Sequence, residues 1–383
     1  VDYNVPIEDG MVLDDTKIVR SLSTINYILD KGGYVILMSH LGRPKGVDKK
    51  FSLRPVATHL SKHLNREVKF SSELIGSESE ALIEGLSDDT YQVILLENTR
   101  FHEGETKNST HLAKELALLG EIFVSDAFGS SHRGHASTEG ITRYIPGYTG
   151  FLMEKEFIRI TDATSNPLSP SLAIVGGAKI SSKLEILKNF VNVVDDLIIG
   201  GAMAFTFIVA NGGKVGTSLI EEDMIDVAKD ILLTAKRKHV GIHLPVDIRI
   251  GHDFENPIIE KEEAKIVNSC QIPDLTMGLD IGPNSEKLFI NVIEKANSII
   301  WNGPMGVFEQ ELYKSGTLAI TTAIFSSSAN IIIGGGDTIY AIKIAEIAEI
   351  PENIHISTGG GATLELMSGK PMPGINCLIG KPL

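Results

Sequence analysis

The sequence contains little cysteine and no apolar run long enough to cross a membrane. Only Cys270 and Cys377 occur in 383 residues, far apart and without CxxC spacing. This argues against a disulfide framework or a zinc site and fits a reducing, cytoplasmic location. The most apolar stretch, 197–210, is too short for a bilayer and carries Gly200 and Gly201 near its start. It predicts a buried strand leading into a helix, and no membrane partner is expected.

An excess of positive charge is also missing. The 35 basic residues face 49 acidic ones, for a net charge of −14, which argues against a general nucleic-acid binder. Neither GxxxxGK[ST] nor GxGxxG is present, so the chain is neither a P-loop protein nor a bearer of the usual dinucleotide fingerprint. Anions are expected only where the few basic residues converge.

Short apolar runs alternate with amphipathic helical segments along the whole chain. Helix 16–31, for example, places Ile18, Leu22, Ile25 and Leu29 on one face, with Asp14 or Asp15 before it and Gly32 after it. The predicted strands are 34–39, 93–96, 121–125, 171–175, 196–199, 298–301, 330–333 and 353–357. This alternation predicts an α/β fold with doubly wound parallel sheets.

The length of the chain favours two domains. Gly147 and Gly150 precede a helical run, and Pro167 and Pro170 follow it, which suits an interdomain connection. We therefore predict one domain over 1–150, a linker helix over 151–165 that acts as a hinge, and a second domain from 166. The opening residues 1–6 look like the end of a strand, so a preceding segment is expected.

Basic residues follow three strands of the first half. Arg43, Arg100 and Arg133 each lie in such a loop, and parallel strands bring these loops to one edge. Like charges brought together need an anion, and a guanidinium fits phosphate or carboxylate. A binding site for a compact polyanion is predicted. The nearby His40, His132 and His135 are either ligands or ordinary hydrogen-bonded histidines.

Glycines follow the strands of the second half, at 176–177, 200–201, 334–336 and 359–361. Such loops bring backbone N–H groups against phosphates. Lys179 and Lys183 lie one turn apart beside the first pair, where a phosphate chain would lie. Asp337 supplies a carboxylate for Mg²⁺ and Thr338 a hydroxyl for a phosphate oxygen, or the two simply cap a helix. Glu309, on residues alone, is an ordinary solvated glutamate.

These motifs resemble phosphoglycerate kinases in order, spacing and wording. They are VDYNVP at 1–6, SHLGRP at 39–44, DAFGSSHR at 126–133, GGAK at 176–179, WNGPMGVFE at 301–309 and GGGDT at 334–338. The resemblance implies two Rossmann-like domains that face a cleft, the second ending at 368, with residues 369–383 returning to the first. It also implies a monomer that binds no nucleic acid and transfers a phosphoryl group from 1,3-bisphosphoglycerate to ADP, with Mg²⁺, once the domains close.

The resemblance also implies the site residues. For catalysis they are Lys17, Lys179, Gly336, Gly359 and Gly360. For 3-phosphoglycerate they are Asp2, Asn4, Lys17, His40, Arg43, Arg100 and Arg133. For ATP or ADP they are Gly200, Gly201, Lys183, Asn302, Glu309, Gly335, Gly336, Asp337 and Thr338, with Asp337 placing the Mg²⁺ ion.

One position departs from the family pattern. Lys17 stands on the first helix where the family has an arginine, and Arg20 lies one turn further on the same face and can partly substitute. Two alternatives stay open. A dehydrogenase is disfavoured by the missing GxGxxG and would be stabilised by NAD but not by ATP. A catalytically silent binding protein would bind both ligands without turnover.

Overall fold

The computed structural model describes residues 1–88, 91–252 and 264–379. They form two compact units. Unit 1 comprises residues 1–158 and the segment from 371 onward, and unit 2 comprises residues 159–370. The division between the units falls after Ile158, inside the predicted linker helix. The predicted domain boundaries and the hinge remain predictions.

The described part of residues 1–158 contains short strands and five helices. The last of these helices continues past the division between the units. The strands are β1 (Ile7–Glu8), β2 (Met11–Val12), β3 (Val35–Leu37), β4 (Val68–Phe70), β5 (Val93–Leu95), β6 (Phe123–Ser125) and β7 (Gly147–Thr149). The helices are α1 (Thr16–Asp30), α2 (Arg54–Leu64), α3 (Ser77–Glu84), α4 (Thr110–Ala117) and α5 (Phe151–Ser165). Short 3₁₀ turns lie at Lys49–Phe51, Gly85–Asp88, Thr99–Phe101, Phe128–Ser130 and Gly140–Arg143.

The parallel strands of unit 1 form two separate sheets. One has the order β3-β5-β4, with Val35 opposite Val93, and the other pairs β6 with β7. Residues from both β3 and β6 line a cavity of about 590 Å³. The amino group of Val1, which also lines it, donates to Met38 O at 3.1 Å. Thus β3 and β6 flank one cavity and are not paired with each other.

Helix α1 shows why its sequence folds as it does. Ile18, Ile25 and Leu29 are buried on one face, as the apolar spacing predicts, and they pack in the core with β3. The helix ends at Asp30, and Gly32 follows with φ of +78°, a conformation that suits glycine. One amphipathic helix therefore covers the first sheet.

The segment after residue 370 packs within unit 1. It forms helix α13 (Pro373–Asn376), numbered after the helices of unit 2, and Gly374 N donates to Ser131 O at 2.8 Å. Ile379 N donates to Gly147 O at 2.7 Å, beside β7. Leu378 lies in a core cluster with Phe123. Residues 380–383 of the predicted returning segment lie outside the described residues.

Unit 2 holds the strands β8 (Ser171–Val175), β9 (Asp196–Ile199), β10 (Lys214–Val215), β11 (Gly241–His243), β12 (Asp247–Gly251), β13 (Lys265–Asn268), β14 (Gln271–Ile272), β15 (Met277–Ile281), β16 (Ser298–Asn302), β17 (Asn330–Ile333) and β18 (Ile354–Ile356). Its helices after α5 are α6 (Leu184–Phe190), α7 (Met203–Ala210), α8 (Ile225–Lys238), α9 (Pro283–Ile293), α10 (Ser315–Phe325), α11 (Gly336–Ile344) and α12 (Gly361–Met367). Two 3₁₀ turns lie at Glu222–Met224 and Glu311–Tyr313.

The main sheet of unit 2 is parallel and has the order β11-β9-β8-β16-β17-β18. The chain starts in the middle with β8, builds outward through β9 to β11, and then returns to build the other side from β16. The order therefore reverses between β8 and β16, and ligands of open α/β sheets bind beside the carboxyl ends of the strands at such a point. The strands carry a core that includes Trp301 and Phe289, both fully buried.

All eight strands predicted from the sequence are present, with bounds within two residues of those predicted. Helix 16–31 is confirmed as α1, and the apolar stretch 197–210 is β9 followed by the buried helix α7. Within the described residues, no helix has the length and apolar character needed to cross a membrane.

A second, antiparallel sheet of order β13-β12-β15 is fastened to helix α9 by one carboxylate. Asp247, at the start of β12, is buried and accepts hydrogen bonds from Asn284 N at 3.0 Å and from Ser285 N at 2.7 Å. The Ser285 hydroxyl donates to Asp247 as well and accepts from Val246 N at 2.9 Å. Asp247 thus caps the N-terminus of α9 from another element.

We expect Asp247→Ala to destabilise unit 2 by about 2–3 kcal/mol, because it leaves buried amide donors at the start of α9 without an acceptor. Calorimetric thermal unfolding measures this loss. Asp226→Ala is the matched control, because Asp226 is also an acidic residue in the first turn of a helix but its side chain is 93% exposed. It should cost less than about 1 kcal/mol. Equal losses in the two variants would contradict the capping role.

Candidate active site

Three arginines of unit 1 line one cavity, as the sequence predicts. Arg43 follows β3, Arg100 follows β5 and Arg133 follows β6, and all three line a cavity of about 620 Å³. Further lining residues that the sequence analysis did not single out are Lys45, His102, Glu103, Thr106 and Lys107. The parallel strands therefore deliver a concentrated positive charge to one edge of unit 1.

Asn98 ties two of these loops together. Its side chain is fully buried, and its Oδ1 accepts from Leu41 N at 3.2 Å and from Arg100 N at 3.0 Å. Its Nδ2 donates to Leu41 O at 2.7 Å and to Phe51 O at 2.9 Å. One amide thus fixes the loop with Arg43 against the loop with Arg100, a role that the sequence analysis missed.

Arg100 is half-buried beside the like charges of two other arginines. Burial lowers the pKa of its guanidinium, and the charges of Arg133 and Arg43 lower it further, against an opposing effect of Glu105. Its Nη1 donates to Gly42 O at 2.5 Å, while its buried Nε has no hydrogen-bond partner among the described residues. A bound anion would offset this repulsion and satisfy the remaining donor.

The loop that carries Arg133 rests on a buried glutamate. Glu105 accepts hydrogen bonds from Ser137 N at 3.0 Å and Ser137 Oγ at 2.6 Å, and it lies 3.6 Å from His135 Nδ1. Burial raises the pKa of Glu105, but the hydrogen bonds from His135 and Ser137 hold it below its ordinary value. Arg133 Nε lies 3.0 Å from the Nε2 atom of His132. His132 therefore has a partner in its own loop, and His135 lies beside Glu105 of the segment after β5.

The first residues of the chain add a carboxylate and an amide beside the basic loops. Asp2 Oδ2 accepts from Lys17 Nζ at 2.9 Å, and Asn4 Oδ1 accepts from Gly42 N at 2.9 Å. Burial opposes the charge on Asp2, but Lys17 and His40 keep its pKa below the ordinary value. Burial also lowers the pKa of His40 to about 4, so this imidazole is neutral at physiological pH. Asp2, Asn4, Lys17 and His40 thus lie beside the arginines.

Arg20, one turn beyond Lys17 on α1, pairs with a carboxylate of another helix. Its Nη1 lies 3.7 Å from Oε1 of Glu156, whose side chain is fully buried in α5. A buried carboxylate is costly, and the nearby guanidinium of Arg20 offsets part of that cost. The expectation that Arg20 partly replaces the missing family arginine therefore has a competing structural demand.

The glycine loops of unit 2 meet at the carboxyl ends of neighbouring strands. Gly176 N donates to Asn302 O at 2.9 Å, which joins the loops after β8 and β16 at the point where the strand order reverses. A Cβ at Gly176 would overlap Pro304 O, and one at Gly201, where φ is +65°, would lie 2.5 Å from Gly177 N. Glycine is required here because backbone packs directly on backbone. The peptide groups of this edge are consequently open to close approach.

Lys183 reaches into the same edge. Its Nζ donates to Asn302 O at 3.0 Å and to the Asn302 side-chain oxygen. Burial lowers its pKa to about 8, against an opposing effect of the Asp337 carboxylate. Asn302 is itself buried and donates through Nδ2 to Gly334 O at 2.7 Å. The structure therefore places Asn302 beneath the loops, where it positions Lys183 and Gly334.

Helix α11 points its N-terminus at this edge. Its first internal hydrogen bond runs from Ile339 N to Gly335 O, so the amides of Gly336, Asp337 and Thr338 have no acceptor within the helix. The Asp337 side chain is exposed there. The Thr338 hydroxyl is buried, accepting from Gly303 N at 2.7 Å and donating to Gly334 O at 2.9 Å. Its hydroxyl proton is thus already used within the loop.

The remaining predicted residues lie at the ends of the strands or just beyond them. Gly359 and Gly360 precede α12, and Gly360 has φ of +54°. Lys179 and Glu309 are exposed. Phe308, next to Glu309, packs edge-to-face on Tyr340 of α11 with the ring centroids 5.6 Å apart. That contact fixes the loop after β16 against α11, and sequence reasoning did not find it.

A family model described as phosphoglycerate kinase matches residues 1–370. The phosphoglycerate kinase of Aquifex aeolicus is 48% identical over 381 residues, which are 99% of this chain and 93% of that protein. The cytosolic phosphoglycerate kinase of Triticum aestivum is 47% identical over 382 residues, with 98% and 93% covered.

Solved structures agree. The structure of phosphoglycerate kinase from Coxiella burnetii has a TM-score of 0.89 and 38% identity, and the match covers 98% of this chain and 94% of that one. The enzyme from Pyrococcus horikoshii has a TM-score of 0.75 and 28% identity, with 99% and 94% covered. This chain therefore belongs to the phosphoglycerate kinase family and is a phosphotransferase of glycolysis with a carboxyl group as acceptor.

Proposed function

We propose that unit 1 binds 3-phosphoglycerate and unit 2 binds the magnesium nucleotide, for reversible transfer from 1,3-bisphosphoglycerate to ADP. The observation that carries this assignment is the convergence of Arg43, Arg100 and Arg133 on one cavity of about 620 Å³. A phosphate monoester offers the charge and the several acceptor oxygens that three guanidinium groups need.

The arginines take the 3-phosphate, and the other end of the ligand lies towards Asp2, Asn4 and Lys17. Asp2 is ionised and accepts a hydrogen bond from a substrate hydroxyl. His40, neutral because burial lowers its pKa to about 4, donates one hydrogen bond to the ligand without adding charge. Asn98 and Glu105 act as positioning residues, because their side chains hold the loops.

The nucleotide phosphates lie at the N-terminus of α11. The free amides of Gly336, Asp337 and Thr338 and the Lys183 ammonium are donors for them. Gly200 and Gly201 leave an open backbone surface for the adenine ring, Gly335 allows the turn into α11, and Glu309 accepts from the ribose hydroxyls. Asn302 and the Thr338 hydroxyl act as positioning residues, because both are buried beneath the loops.

The family uses a magnesium nucleotide, and Asp337 is suited to hold the ion. Mg²⁺ in nucleotide sites usually takes one or two carboxylates together with phosphate oxygens. Asp337 is exposed beside the free amides and close enough to Lys183 to raise that pKa. The ion, when bound, neutralises charge on the phosphate oxygens.

The chain's own residues supply position and charge rather than acid–base chemistry. The attacking carboxylate of 3-phosphoglycerate is already ionised at neutral pH, so no general base is needed, and phosphoryl transfer depends on in-line placement. Lys17, Lys179 and the amides of Gly336, Gly359 and Gly360 donate to the phosphoryl oxygens in transit. Closure through the 151–165 helix, and a monomeric state, stay predictions.

We expect Arg43→Ala to raise KM for 3-phosphoglycerate by about 10–100-fold, as for loss of a charged hydrogen bond. The assay is Mg²⁺-dependent ADP release from ATP with 3-phosphoglycerate. Arg43 is the arginine to remove because it is exposed, whereas Arg100 also holds Gly42 O.

Arg66→Ala is the control, since Arg66 is exposed and pairs with Gln92 away from the cavity. It should leave KM unchanged. A normal KM for 3-phosphoglycerate in Arg43→Ala would contradict the assignment of this arginine to that substrate. Loss of ATP binding in the same variant would contradict the assignment of the two ligands to separate units.

Nucleotide binding should take up protons near pH 8. Lys183 has a pKa of about 8 in the free protein and is half neutral there, whereas phosphates favour its charged form and raise the pKa. Binding therefore draws a fraction of a proton at pH 8 and weakens as pH rises further. Calorimetry of ATP binding in two buffers of different ionisation enthalpy measures the uptake. Lys183→Arg, charged throughout, should abolish it, and wild-type protein without uptake would contradict the role of Lys183.

Lys17→Arg should raise kcat severalfold. Lys17 donates to Asp2 and carries one point charge, whereas a guanidinium can keep that contact with one edge and present another to the phosphoryl group. Steady-state assays with saturating substrates test this, with Lys17→Gln as the variant that loses the charge. A kcat for Lys17→Arg no higher than that of the wild type would contradict this prediction.

A further inference from the structure

Two helices of unit 1 bring together a carboxylate and two imidazoles, none of which is among the residues assigned to substrate. Asp15 immediately precedes α1. His59 and His63 lie four residues apart on α2, which places them on one face of that helix. The Asp15 carboxylate does not cap its own helix. It is directed instead at α2.

One carboxylate oxygen of Asp15 lies close to the same ring nitrogen, Nε2, of both histidines. Asp15 Oδ2 lies 3.1 Å from His59 Nε2 and 2.9 Å from His63 Nε2. The two rings have centroids 5.0 Å apart and an interplanar angle of 54°. One ligand atom from each residue lies within 4.8 Å of the other two.

These separations suit a small metal ion. Zinc binds imidazole nitrogen at about 2.0–2.1 Å and carboxylate oxygen at about 2.0–2.2 Å, in tetrahedral sites. Ligand atoms at the corners of such a tetrahedron lie about 3.3 Å apart, which follows from those bond lengths. Small rotations of the exposed side chains bring the present distances to that value. Histidines at i and i+4 on one helix face are a known pair of zinc ligands.

We propose that Asp15, His59 and His63 form a binding site for a divalent transition-metal ion, Zn²⁺ foremost. Two imidazoles and one carboxylate prefer Zn²⁺, Ni²⁺ or Cu²⁺ to the Mg²⁺ of the nucleotide, which favours oxygen ligands alone. The low cysteine content argued against a zinc site, but this ligand set contains no cysteine.

The three side chains are accessible to an ion from solvent. The side chains of Asp15, His59 and His63 are 41%, 27% and 30% exposed, so the ion can enter and water can complete its coordination. The bound ion joins the start of α1 to α2 and stabilises unit 1 by mass action.

The test uses the full chain without an affinity tag, treated with chelator and then desalted. Titration with ZnCl₂ at neutral pH, followed by calorimetry without nucleotide, should show one equivalent bound. His63→Gln and His59→Gln should each weaken binding by about tenfold or more. Co²⁺ should give the visible absorption of a site without sulfur in the wild type and lose it in His63→Gln.

Two matched variants separate this site from other ligands. His111→Gln removes an exposed histidine outside the cluster, and Cys270→Ser removes the exposed thiol. Both should bind Zn²⁺ as the wild type does. The proposal is overturned if the wild type binds no Zn²⁺, if His59→Gln and His63→Gln bind it with unchanged affinity, or if Cys270→Ser abolishes binding. Kinase activity enters none of these readouts.

Discussion

The edge of unit 2 at the carboxyl ends of its main-sheet strands depends on one backbone contact, the packing of the loop after β8 directly on the loop after β16. Parallel pairing sets Val175 opposite Asn302, and the chain then continues with Gly176 N donating to Asn302 O. Because no side chain fits there, the two loops share one surface of peptide groups. Asn302 and Lys183 can bridge the two loops because the loops lie so close to each other. The lowered pKa of Lys183 follows from the same burial.

In unit 1, side chains rather than direct backbone packing hold the loops together. Its basic loops are too polar to pack on one another, so a buried amide and a buried carboxylate hold them. Both ends of the Asn98 amide bond to loop backbone, and Glu105 anchors the loop that presents Arg133. The repulsion among the arginines is then imposed by the scaffold, and it lowers the pKa of Arg100. An anion relieves that repulsion, which is why the cluster favours binding over mere surface exposure.

Much of this could be predicted from sequence because parallel strands bring successive loops to one edge. Apolar runs such as 171–175 located the strands, and Arg43, Arg100 and Arg133 could then be grouped without coordinates. The strand β11 was missed because it is a short edge strand whose three residues are only half-buried. The sheet of β12, β13 and β15 was missed as well, since its polar anchors, such as Asp247, carry no periodic signal.

Roles that depend on side-chain direction lay beyond the sequence. Asn302 ends β16 and Thr338 lies in the first turn of α11, and both side chains turn inward to hold backbone. Phe308 and Glu105 act through contacts across distant segments, which no local pattern encodes. The same holds for Asp15, since a carboxylate before a helix ordinarily predicts a cap.

The first turns of α1 show how one helix serves several demands. Asp15 turns to the histidines of α2, Lys17 to Asp2 and Arg20 to the buried Glu156. Glu156 holds Arg20 because its own burial would otherwise be costly. That leaves Lys17 as the cation of α1 beside Asp2, where its ammonium balances the Asp2 carboxylate. Of these three residues only Lys17 contacts Asp2, and it stands where the sequence analysis expected the family arginine.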